Sequence, residues 1–547
     1  MAETFNEYFT NITKDLIVHK YTAFRDQAHV NKIPVASQRP ANTFGLQLTN
    51  HHVVKAVLDN MKPNKAQGHD LIPPRALKAS SGSIAKPFSD LVNTIMAKSQ
   101  VPDSWKHGQI TPHHKKESVL DKKNFRPVTV LPTFAKVFEK IIHMQITDHF
   151  ESIFHDYMFA YRKFHGCPSA LLTLTEDWRA ELDKRKVIGA VAIDLSKAFD
   201  CLPHELLLEK LKFYGMSDNS VALLRSYLSC RYQRVKLGHT FSTWMGVSAG
   251  VPQGSLLGPL LFNIFMNDLT FAIRDCRLIS YADDTKLHLS HQDPQAVEDG
   301  INLDLNNTIQ WFQQNGMIAN PDKYQALVLG NTAHDFDIKC EEKPIPVSSE
   351  IQLLGVTLDN KLKFDSHIAS ICRKVGRQVN ALNRLKNVLP CKTKEALYRA
   401  FILPHFDYCS QIWHHCGARN TRKLERVNER ALRLVYKDKN NSYDRLLNLI
   451  GLHSTLEGRR IQDMLITINS CFQEKAPTPI VNLLKVKDTK YNLRGTNMLS
   501  LPKVKSTKHG LRSFRYFAAK TWNALPDSIR AMAGTREFLR SIRHVAF

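Results

Sequence analysis

Short apolar runs separated by helix-like segments dominate the middle of the chain. Between residues 187 and 360 these runs are "VIGAVAIDL", "RLISYADD", "YQALVLG" and "IQLLGVTLD", and their length and β-branched residues are typical of strands. Amphipathic stretches such as "FAKVFEKIIHMQITDHFE" precede them. The pattern predicts an α/β or α+β domain in which helices pack on a sheet.

The segments on either side of this region are helical in pattern. Residues 1–60 form a predicted helical lead-in, which gives way to a region broken by glycine and proline. Residues 361–450 contain 19 lysines and arginines against 7 aspartates and glutamates. Within them, apolar residues recur at helical spacing while basic residues fill the other face, as at Leu424, Val427, Ala431 and Leu432. Such a face is either simply solvated or lies along a phosphate backbone.

The charge of the chain indicates which class of molecule it binds. The 547 residues include 75 lysines and arginines against 51 aspartates and glutamates, a net charge of +24 that favours a polyanion, nucleic acid before an anionic membrane. The alternative is a merely soluble basic protein. No apolar stretch has the length of a membrane span and the start does not resemble a secretory signal, so an intracellular location and no membrane partner are expected.

The ten cysteines are scattered singly, without a CxxC pair, as expected of reduced thiols. One cluster combines cysteine and histidine, in "HFDYCSQIWHHC", with Cys409, His414, His415 and Cys416. Its spacing matches no common zinc site. These residues are therefore predicted to serve packing.

Two adjacent carboxylates, Asp283 and Asp284, directly follow an apolar run in "YADD". On these residues alone a surface turn is the favoured interpretation. A third carboxylate, Asp194, follows the apolar run "VIGAVAI" where a buried strand would leave its sheet. If that strand lies beside the strand that carries Tyr281 and Ala282, the three carboxylates converge.

Three converging carboxylates require divalent cations, and oxygen ligands favour Mg²⁺. Two such ions roughly 3.5–4 Å apart are the machinery of in-line phosphoryl transfer. In a strongly basic chain, this chemistry indicates nucleic acid polymerisation. Between the carboxylates, Gly250, Gly254 and Gly258 allow close backbone approach, and Gln253 presents an amide beside them.

The order of the motifs resembles the palm of reverse transcriptases. The series is "AIDLSKAFD", "GVPQGSLLGPLLF", "YADD", "IANPDKYQALVLG" and "LLGVTLD". The flanking "NFRPVTVLPTFAKVFEKII" and "VPDSWKHGQITPHHKK" are similar to the jockey-like LINE group of non-LTR retrotransposons. The resemblance extends from "FNEYF" near the start to "TWNALPDSIR" near the end.

The resemblance implies roles for individual residues. Asp194 and Asp283 match the main metal ligands of the family and Asp284 its third carboxylate; Lys323 matches a lysine that protonates or neutralises the pyrophosphate. The residues expected at the nucleotide or template are Phe199, which would exclude a ribose 2′-hydroxyl, Gln253, Gly254, Arg126 and Arg162. Phe199 has a core role as its alternative, and the two arginines a surface role. At "MFAYRKFHGCPS" the chain departs from the family's usual "QFGFRKGRST", which leaves the contact there less certain.

The resemblance also implies a right-hand polymerase of the α+β class. The expected divisions are fingers at 61–186, palm at 187–360, a basic helical thumb at 361–450 and a C-terminal extension at 451–547. The expected activity is RNA-directed DNA polymerisation with two Mg²⁺ ions, for which Mn²⁺ could substitute. The expected partners are an RNA template, a DNA primer or target DNA, and dNTPs, in the nucleus at the site of integration or in the cytoplasm.

Three further points stay open at this stage. A catalytically silent or domesticated RNA-binding remnant would have lost a carboxylate, and none is lost. An RNA-dependent RNA polymerase shares the two-metal palm, but an aromatic residue at Phe199 argues against ribonucleotide selection. The upstream endonuclease of relatives, a cysteine-histidine knuckle and an RNase H acidic set are not recognised in these residues, so the chain is expected to need a ready-made primer.

Overall fold

The computed structural model describes residues 1–11, 43–115, 117–487, 497–532, 534–543 and 545. These residues form an α+β protein in which helices surround two larger sheets, as the sequence predicts. Within the predicted lead-in, residues 2–11 and His51–Asp59 are helical, and residues 12–42 lie outside the described residues. Among the residues described, no helix has the length and apolar character needed to cross a membrane.

Among the described residues, helices alternate with strands in the part of the chain up to residue 360, and only helices are assigned after it. In the first part they are α1 (2–11), α2 (His51–Asp59), α3 (Pro74–Ala79), α4 (Ser81–Lys98), α5 (Thr133–Phe150), α6 (Cys167–Asp183), α7 (Ala198–Cys201), α8 (His204–Phe213), α9 (Asp218–Leu228), α10 (Leu257–Met266) and α11 (Pro294–Gln314). The C-terminal helices are α12 (Asp365–Leu385), α13 (Cys391–Leu397), α14 (Leu403–Asp407), α15 (Ala418–Tyr436), α16 (Tyr443–Leu449), α17 (Leu456–Phe472), α18 (Thr478–Val481), α19 (Phe514–Asn523), α20 (Asp527–Arg530) and α21 (Thr535–Ile542).

The strands belong to two five-stranded sheets and two short hairpins. They are β1 (His107–His114), β2 (Phe125–Val130), β3 (Val187–Ile193), β4 (Arg231–Leu237), β5 (Thr240–Phe241), β6 (Met245–Val247), β7 (Arg277–Tyr281), β8 (Asp284–His291), β9 (Gln325–Leu329), β10 (Lys339–Cys340), β11 (Lys343–Pro344), β12 (Val347–Ser348), β13 (Glu350–Leu353) and β14 (Val356–Asp359). The first sheet has the order β2-β1-β4-β5, with β6 also paired to β4. The second, central sheet has the order β12-β9-β3-β8-β7.

Strand β3 lies in the middle of the central sheet, between β8 and β9, and pairs antiparallel with both. Its residues alternate between two hydrophobic cores. Val191 and Ile193 pack in the core that includes α11, whereas Ile188 and Ala190 pack in the core that includes α6 and the C-terminal helices. Because both faces of the sheet are covered, side chains on both faces of β3 are buried. The sequence of this strand is therefore a continuous apolar run.

Two predictions about strands need correction. The segment "DTKLHLSH" was not predicted as a strand, yet it forms β8 between β3 and β7, and its polar residues Lys286 and His288 are buried there. The run "IQLLGVTLD" was predicted as part of the sheet domain, and it forms the separate hairpin β13–β14. The runs predicted around 187, 277 and 325 are confirmed as β3, β7 and β9.

The C-terminal extension is held against helix α6 by buried carboxylates. Asp183 accepts hydrogen bonds from the backbone nitrogens of Lys505 and Ser506 at 2.8 and 2.7 Å. Glu176 accepts from the backbone nitrogens of Phe514 and Arg515 at the start of α19. The extension is thus an integral part of the fold, a feature that the sequence did not indicate.

Candidate active site

The "YADD" motif forms the tight turn of a hairpin. Tyr281 ends β7, Asp284 begins β8, and the two pair directly across the turn formed by Ala282 and Asp283. Ala282 has a φ of +56°, a backbone conformation that is costly for a residue with a Cβ. The prediction of a turn at this motif is therefore confirmed.

Asp194 reaches the same place from the end of β3. Ile193 pairs with Thr285 of β8, so one further step along each strand places Asp194 beside Asp284. The predicted neighbour was the strand that carries Tyr281, and this is wrong, because the turn folds β8 back between β3 and β7. Asp194 and Asp283 line one cavity of about 450 Å³.

The third carboxylate is placed differently. Asp284 does not contribute to the lining of this cavity; its side chain is 49% exposed and lies 4.0 Å from the Lys286 ammonium. Within the part of the chain that the structure describes, no group of three or more histidine, cysteine, aspartate or glutamate side chains is close enough to hold a metal ion as it stands. Of the three carboxylates that were predicted to converge, only Asp194 and Asp283 therefore line the cavity.

The electrostatics of this pair suit a cation. Burial raises the pKa of Asp283 above its ordinary value, and the neighbouring carboxylates of Asp284 and Asp194 raise it further. A carboxylate in this situation gains from any cation placed beside it. The oxygen donors of Asp194 and Asp283, which face one cavity, thus fit a divalent metal.

Lys323 lies at this pair, as the resemblance implied. Its ammonium donates a hydrogen bond of 2.8 Å to Asp194 Oδ2. The backbone fixes this approach, since Asn320 donates to the carbonyl of Asp194 and Ser196 donates to that of Ile318. The segment that carries Lys323 therefore runs alongside the end of β3 and brings its cation into the cavity.

Phe199 packs against the protein core and also lines the cavity. Its ring stacks on the buried ring of Phe262, with centroids 4.3 Å apart and an interplanar angle of 18°. It also lines the cavity and meets the exposed Tyr161 edge-on, at 6.2 Å. Packing on Phe262 fixes the position of the ring, which could then act as a wall of the nucleotide site.

Gln253 and Gly254 line the same cavity from the loop before α10. Gln253 Nε2 donates to Asp200 Oδ1 at 2.8 Å, and the Gln253 carbonyl accepts from Thr129 N at 2.7 Å. Gly254 has a φ of +124°, and a Cβ there would lie 2.5 Å from the Thr129 carbonyl oxygen. Only glycine allows this loop to press so closely against β2.

Basic side chains form the other wall of the cavity. Arg126 lines it, as predicted, and so do three lysines that sequence reasoning missed, Lys115, Lys123 and Lys197. Asp200 and Tyr161 were missed as well. A signal was present, since the lysines lie in the basic stretches "PHHKK" and "DKKNFRP" and in "DLSKAFD" itself. Five cationic side chains and three carboxylates thus share this cavity, a combination suited to an anionic ligand bound with metal ions.

Arg162 does not line this cavity, in contrast to the prediction of a contact with nucleotide. Its guanidinium donates to Glu151 Oε1 and to the carbonyls of His155 and Met158, and only 6% of the side chain is exposed. The charge is thus engaged within the protein. Arg162 fixes the fold of the loop around Tyr161 instead of meeting a ligand directly.

The cysteine-histidine cluster serves packing, as predicted. Cys409, His414 and Cys416 are buried, and the rings of His414 and His415 both contact Phe517 of the C-terminal extension. Burial lowers the pKa of His414 to about 3 and that of His415 to about 2, so both imidazoles are neutral. Neutral rings in contact with phenylalanine are typical of a hydrophobic core.

The basic face of the region 361–450 lies on α12 and α15, which pack together. Leu424, Ala431 and Leu432 of α15 are buried, as the spacing predicts. Arg426 and Arg430 are exposed on the same helix, and Arg430 donates to Asn380 of α12 at 2.9 Å. The two helices thus present exposed cations from a rigid pair.

Comparison with known proteins identifies the central part of the chain. Residues 113–358 match the family described as reverse transcriptase (RNA-dependent DNA polymerase). The chain contains a reverse transcriptase domain. This domain implies a right-hand polymerase fold, and its family is in general dependent on divalent metals.

The reverse transcriptase chain is similar to proteins of insect mobile elements. One is the probable RNA-directed DNA polymerase from transposon X-element of Drosophila melanogaster, 27% identical over 70% of this chain and 43% of the relative. Another is the RNA-directed DNA polymerase from mobile element jockey of the same species, 24% identical over 70% of this chain and 43% of the relative. A third is the Pol polyprotein from type-1 retrotransposable element R1 of Bradysia coprophila, 23% identical over 64% of this chain and 36% of the relative.

These relatives confirm the resemblance to the jockey-like group of non-LTR elements. The chain spans less than half the length of the relatives named here. The similarity to these proteins thus accompanies the match of residues 113–358 to the reverse transcriptase family.

Proposed function

We propose that the chain is the RNA-directed DNA polymerase of a non-LTR retrotransposon. It would add deoxynucleoside monophosphates to the 3′-hydroxyl of a primer, directed by an RNA template, with release of pyrophosphate. The observation that carries the proposal is the single cavity that joins Asp194 and Asp283 to a basic wall and to the loop of Gln253 and Gly254. The family match and the named relatives support it.

In this proposal the two carboxylates of the cavity hold divalent metal, Mg²⁺ in the first place, with Mn²⁺ as a substitute. Asp194 and Asp283 would be the main ligands, and Asp284 would join from the edge of β8 after a small movement of the turn. Bound Mg²⁺ ions would activate the primer hydroxyl and neutralise charge on the leaving pyrophosphate. The raised pKa of Asp283 supports the assignment, because burial and the charges of Asp284 and Asp194 oppose its ionisation, which a bound cation would favour.

The basic wall would bind the triphosphate of the incoming nucleotide. Lys115, Lys123, Arg126 and Lys197 lie on one side of the cavity lining, from the β1–β2 hairpin and the turn before α7. Lys323, on the carboxylate side, would neutralise or protonate the pyrophosphate. The arrangement would hold the α-phosphate near the carboxylates by positioning and electrostatics, which phosphoryl transfer chiefly requires.

We further propose roles for the surrounding parts. Fingers at 61–186 would supply the basic wall, the palm at 187–360 the carboxylates, and a thumb at 361–450 the grip on the template–primer duplex through α12 and α15. Phe199 would stand where a ribose 2′-hydroxyl must fit and would so select dNTPs. The extension at 451–547 would brace the palm from behind, through α6.

Primer extension tests the proposal directly. The chain is incubated with poly(rA)·oligo(dT), Mg²⁺ and labelled dUTP, and in parallel with labelled UTP. Incorporation of dUMP but little UMP is expected. Preferred incorporation of UMP would indicate an RNA polymerase, and binding of the duplex without extension would indicate a silent RNA-binding remnant.

A further inference from the structure

Helix α5 places a carboxylate inside the protein at Glu139. None of this residue is exposed to solvent. Its Oε1 accepts a hydrogen bond of 2.6 Å from the hydroxyl of Tyr227 on α9, and its Oε2 accepts one of 2.7 Å from the backbone nitrogen of Leu256. Leu256 follows Gly254 by two residues. The buried carboxylate therefore joins two helices to the loop that forms part of the candidate active site.

Between Gln253 and Leu256, three hydrogen bonds join this loop to other elements. Thr129 N donates to the Gln253 carbonyl, and Gln253 Nε2 donates to Asp200, so two ties act at Gln253 itself. Glu139 supplies the third, just before α10 begins. Since Gln253 and Gly254 line the cavity, a loss of the third tie would let the loop move at its C-terminal end.

A buried carboxylate at this position destabilises the folded protein unless its hydrogen bonds compensate. Burial of a charged group opposes folding, and an apolar side chain of similar size would fill the space without that cost. Arg231, a buried cation that acts electrostatically on Glu139, is 5% exposed, donates to the Tyr227 carbonyl at 2.9 Å and lies over the Tyr227 ring. Glu139 thus belongs to a buried group of side chains, with Tyr227 and Arg231, that lies next to the start of α10.

We propose that Glu139 is a positioning residue for the incoming nucleotide, acting through the loop of Gln253 and Gly254. The inference rests on the proposed function, since the loop is taken to contact that nucleotide. Glu139 itself does not line the cavity and touches neither of its carboxylates. Its effect should therefore fall on nucleotide binding and not on template–primer binding.

Three variants separate positioning from packing. Glu139→Met keeps the size but removes both acceptors. Glu139→Gln can keep both hydrogen bonds, because its carbonyl can accept from Leu256 N while its amide donates to the Tyr227 oxygen. The matched control is Glu176→Met, which removes another buried carboxylate with two backbone donors, at the C-terminal extension.

Two readouts are measured with the full chain. The first is KM and kcat for a single dTMP addition on poly(rA)·oligo(dT). The second needs no chemistry: the concentration of dTTP that stabilises the complex with a dideoxy-terminated primer. Glu139→Met should raise KM and this apparent Kd about tenfold or more, as expected when a buried acceptor is lost and its donors stay unsatisfied, with unchanged affinity for template–primer. Glu139→Gln should restore both values to within about threefold.

The proposal is overturned if Glu139→Met and Glu176→Met lower the melting temperature alike and leave KM and the apparent Kd for dTTP unchanged. It is also overturned if Glu139→Gln behaves like Glu139→Met. Failure of the proposed function looks different. In that case the wild-type chain itself would not extend a primer, while the dideoxy-terminated complex still reports whether Glu139 governs nucleotide binding.

Discussion

Replacing Asp283 by asparagine should stabilise the metal-free chain and abolish primer extension. In the folded chain, burial and the charges of Asp284 and Asp194 raise the pKa of Asp283. Its ionised form therefore opposes folding at neutral pH. Asparagine keeps the size of the side chain and removes the charge, so the repulsion is lost together with the metal ligand.

The expected gain in stability is modest. Each unit by which the folded state raises the pKa of Asp283 costs about 1.4 kcal/mol of stability at neutral pH, and asparagine removes that cost. Because the unfolding entropy of a chain of 547 residues is about 1.1 kcal/mol per kelvin, each such unit corresponds to a rise in melting temperature of about 1 °C. The loss of activity should be far larger, at least about a thousandfold in rate, because a ligand for the charge that develops in the transition state is removed.

Thermal unfolding in EDTA and in Mg²⁺ measures the first effect, and extension of oligo(dT) on poly(rA) measures the second. In EDTA the variant should melt above the wild type, and the difference should shrink as the pH falls through the raised pKa of Asp283 and the wild-type carboxylate becomes neutral. Added Mg²⁺ should stabilise the wild type more than the variant. The control, Asp90→Asn, changes a carboxylate that is 58% exposed on α4 and should alter neither property.

Two results would refute this reasoning. Extension by Asp283→Asn within tenfold of wild type would show that Asp283 is not a metal ligand. A lower melting temperature of the variant in EDTA would show that the three carboxylates do not repel one another in the folded chain.

Three further variants test other parts of the site. Phe199→Val should raise the kcat/KM for UTP relative to dUTP, and a fall in stability with an unchanged ratio would leave Phe199 a core residue only. Arg426→Glu combined with Arg430→Glu should weaken template–primer binding and flatten the slope of log K against log salt by about one for each residue, and an unaltered slope would remove both from the interface. Lys323→Met should slow single-nucleotide addition about a hundredfold with template–primer affinity retained, and an unchanged rate would exclude a role for this ammonium in the reaction.

The site residues that could be predicted are those that their neighbours in the sequence make recognisable. Asp194 follows an apolar strand and Asp283 lies in a turn, and each is recognisable from its immediate neighbours. The segment of β8 was overlooked although residues 286–289, "KLHL", alternate polar and apolar, which is itself a strand pattern. Without β8, the strand that carries Tyr281 was placed directly beside β3. In the structure β8 lies between them.

Other features depend on residues that are distant in sequence. Arg162 has a partner in Glu151, and nothing in its own motif shows that this pair forms instead of a ligand contact. The C-terminal extension reaches α6 across more than 300 residues, through Asp183 and Glu176. Patterns along the chain report which face of a helix is buried, but they do not report what covers it.

Charged residues on apolar helix faces offer a signal that could have been used. Glu139 stands among Ala135, Ile142 and Ile146, at positions where the helical period of α5 calls for apolar side chains. Glu176 on α6 is a second case, and both prove to be buried acceptors for backbone nitrogens of remote loops. A buried carboxylate needs hydrogen-bond donors to be stable inside a protein. The backbone groups that donate to it are thereby held in a fixed position. A single acidic residue that interrupts an apolar helix face therefore indicates a loop whose position the protein has to hold.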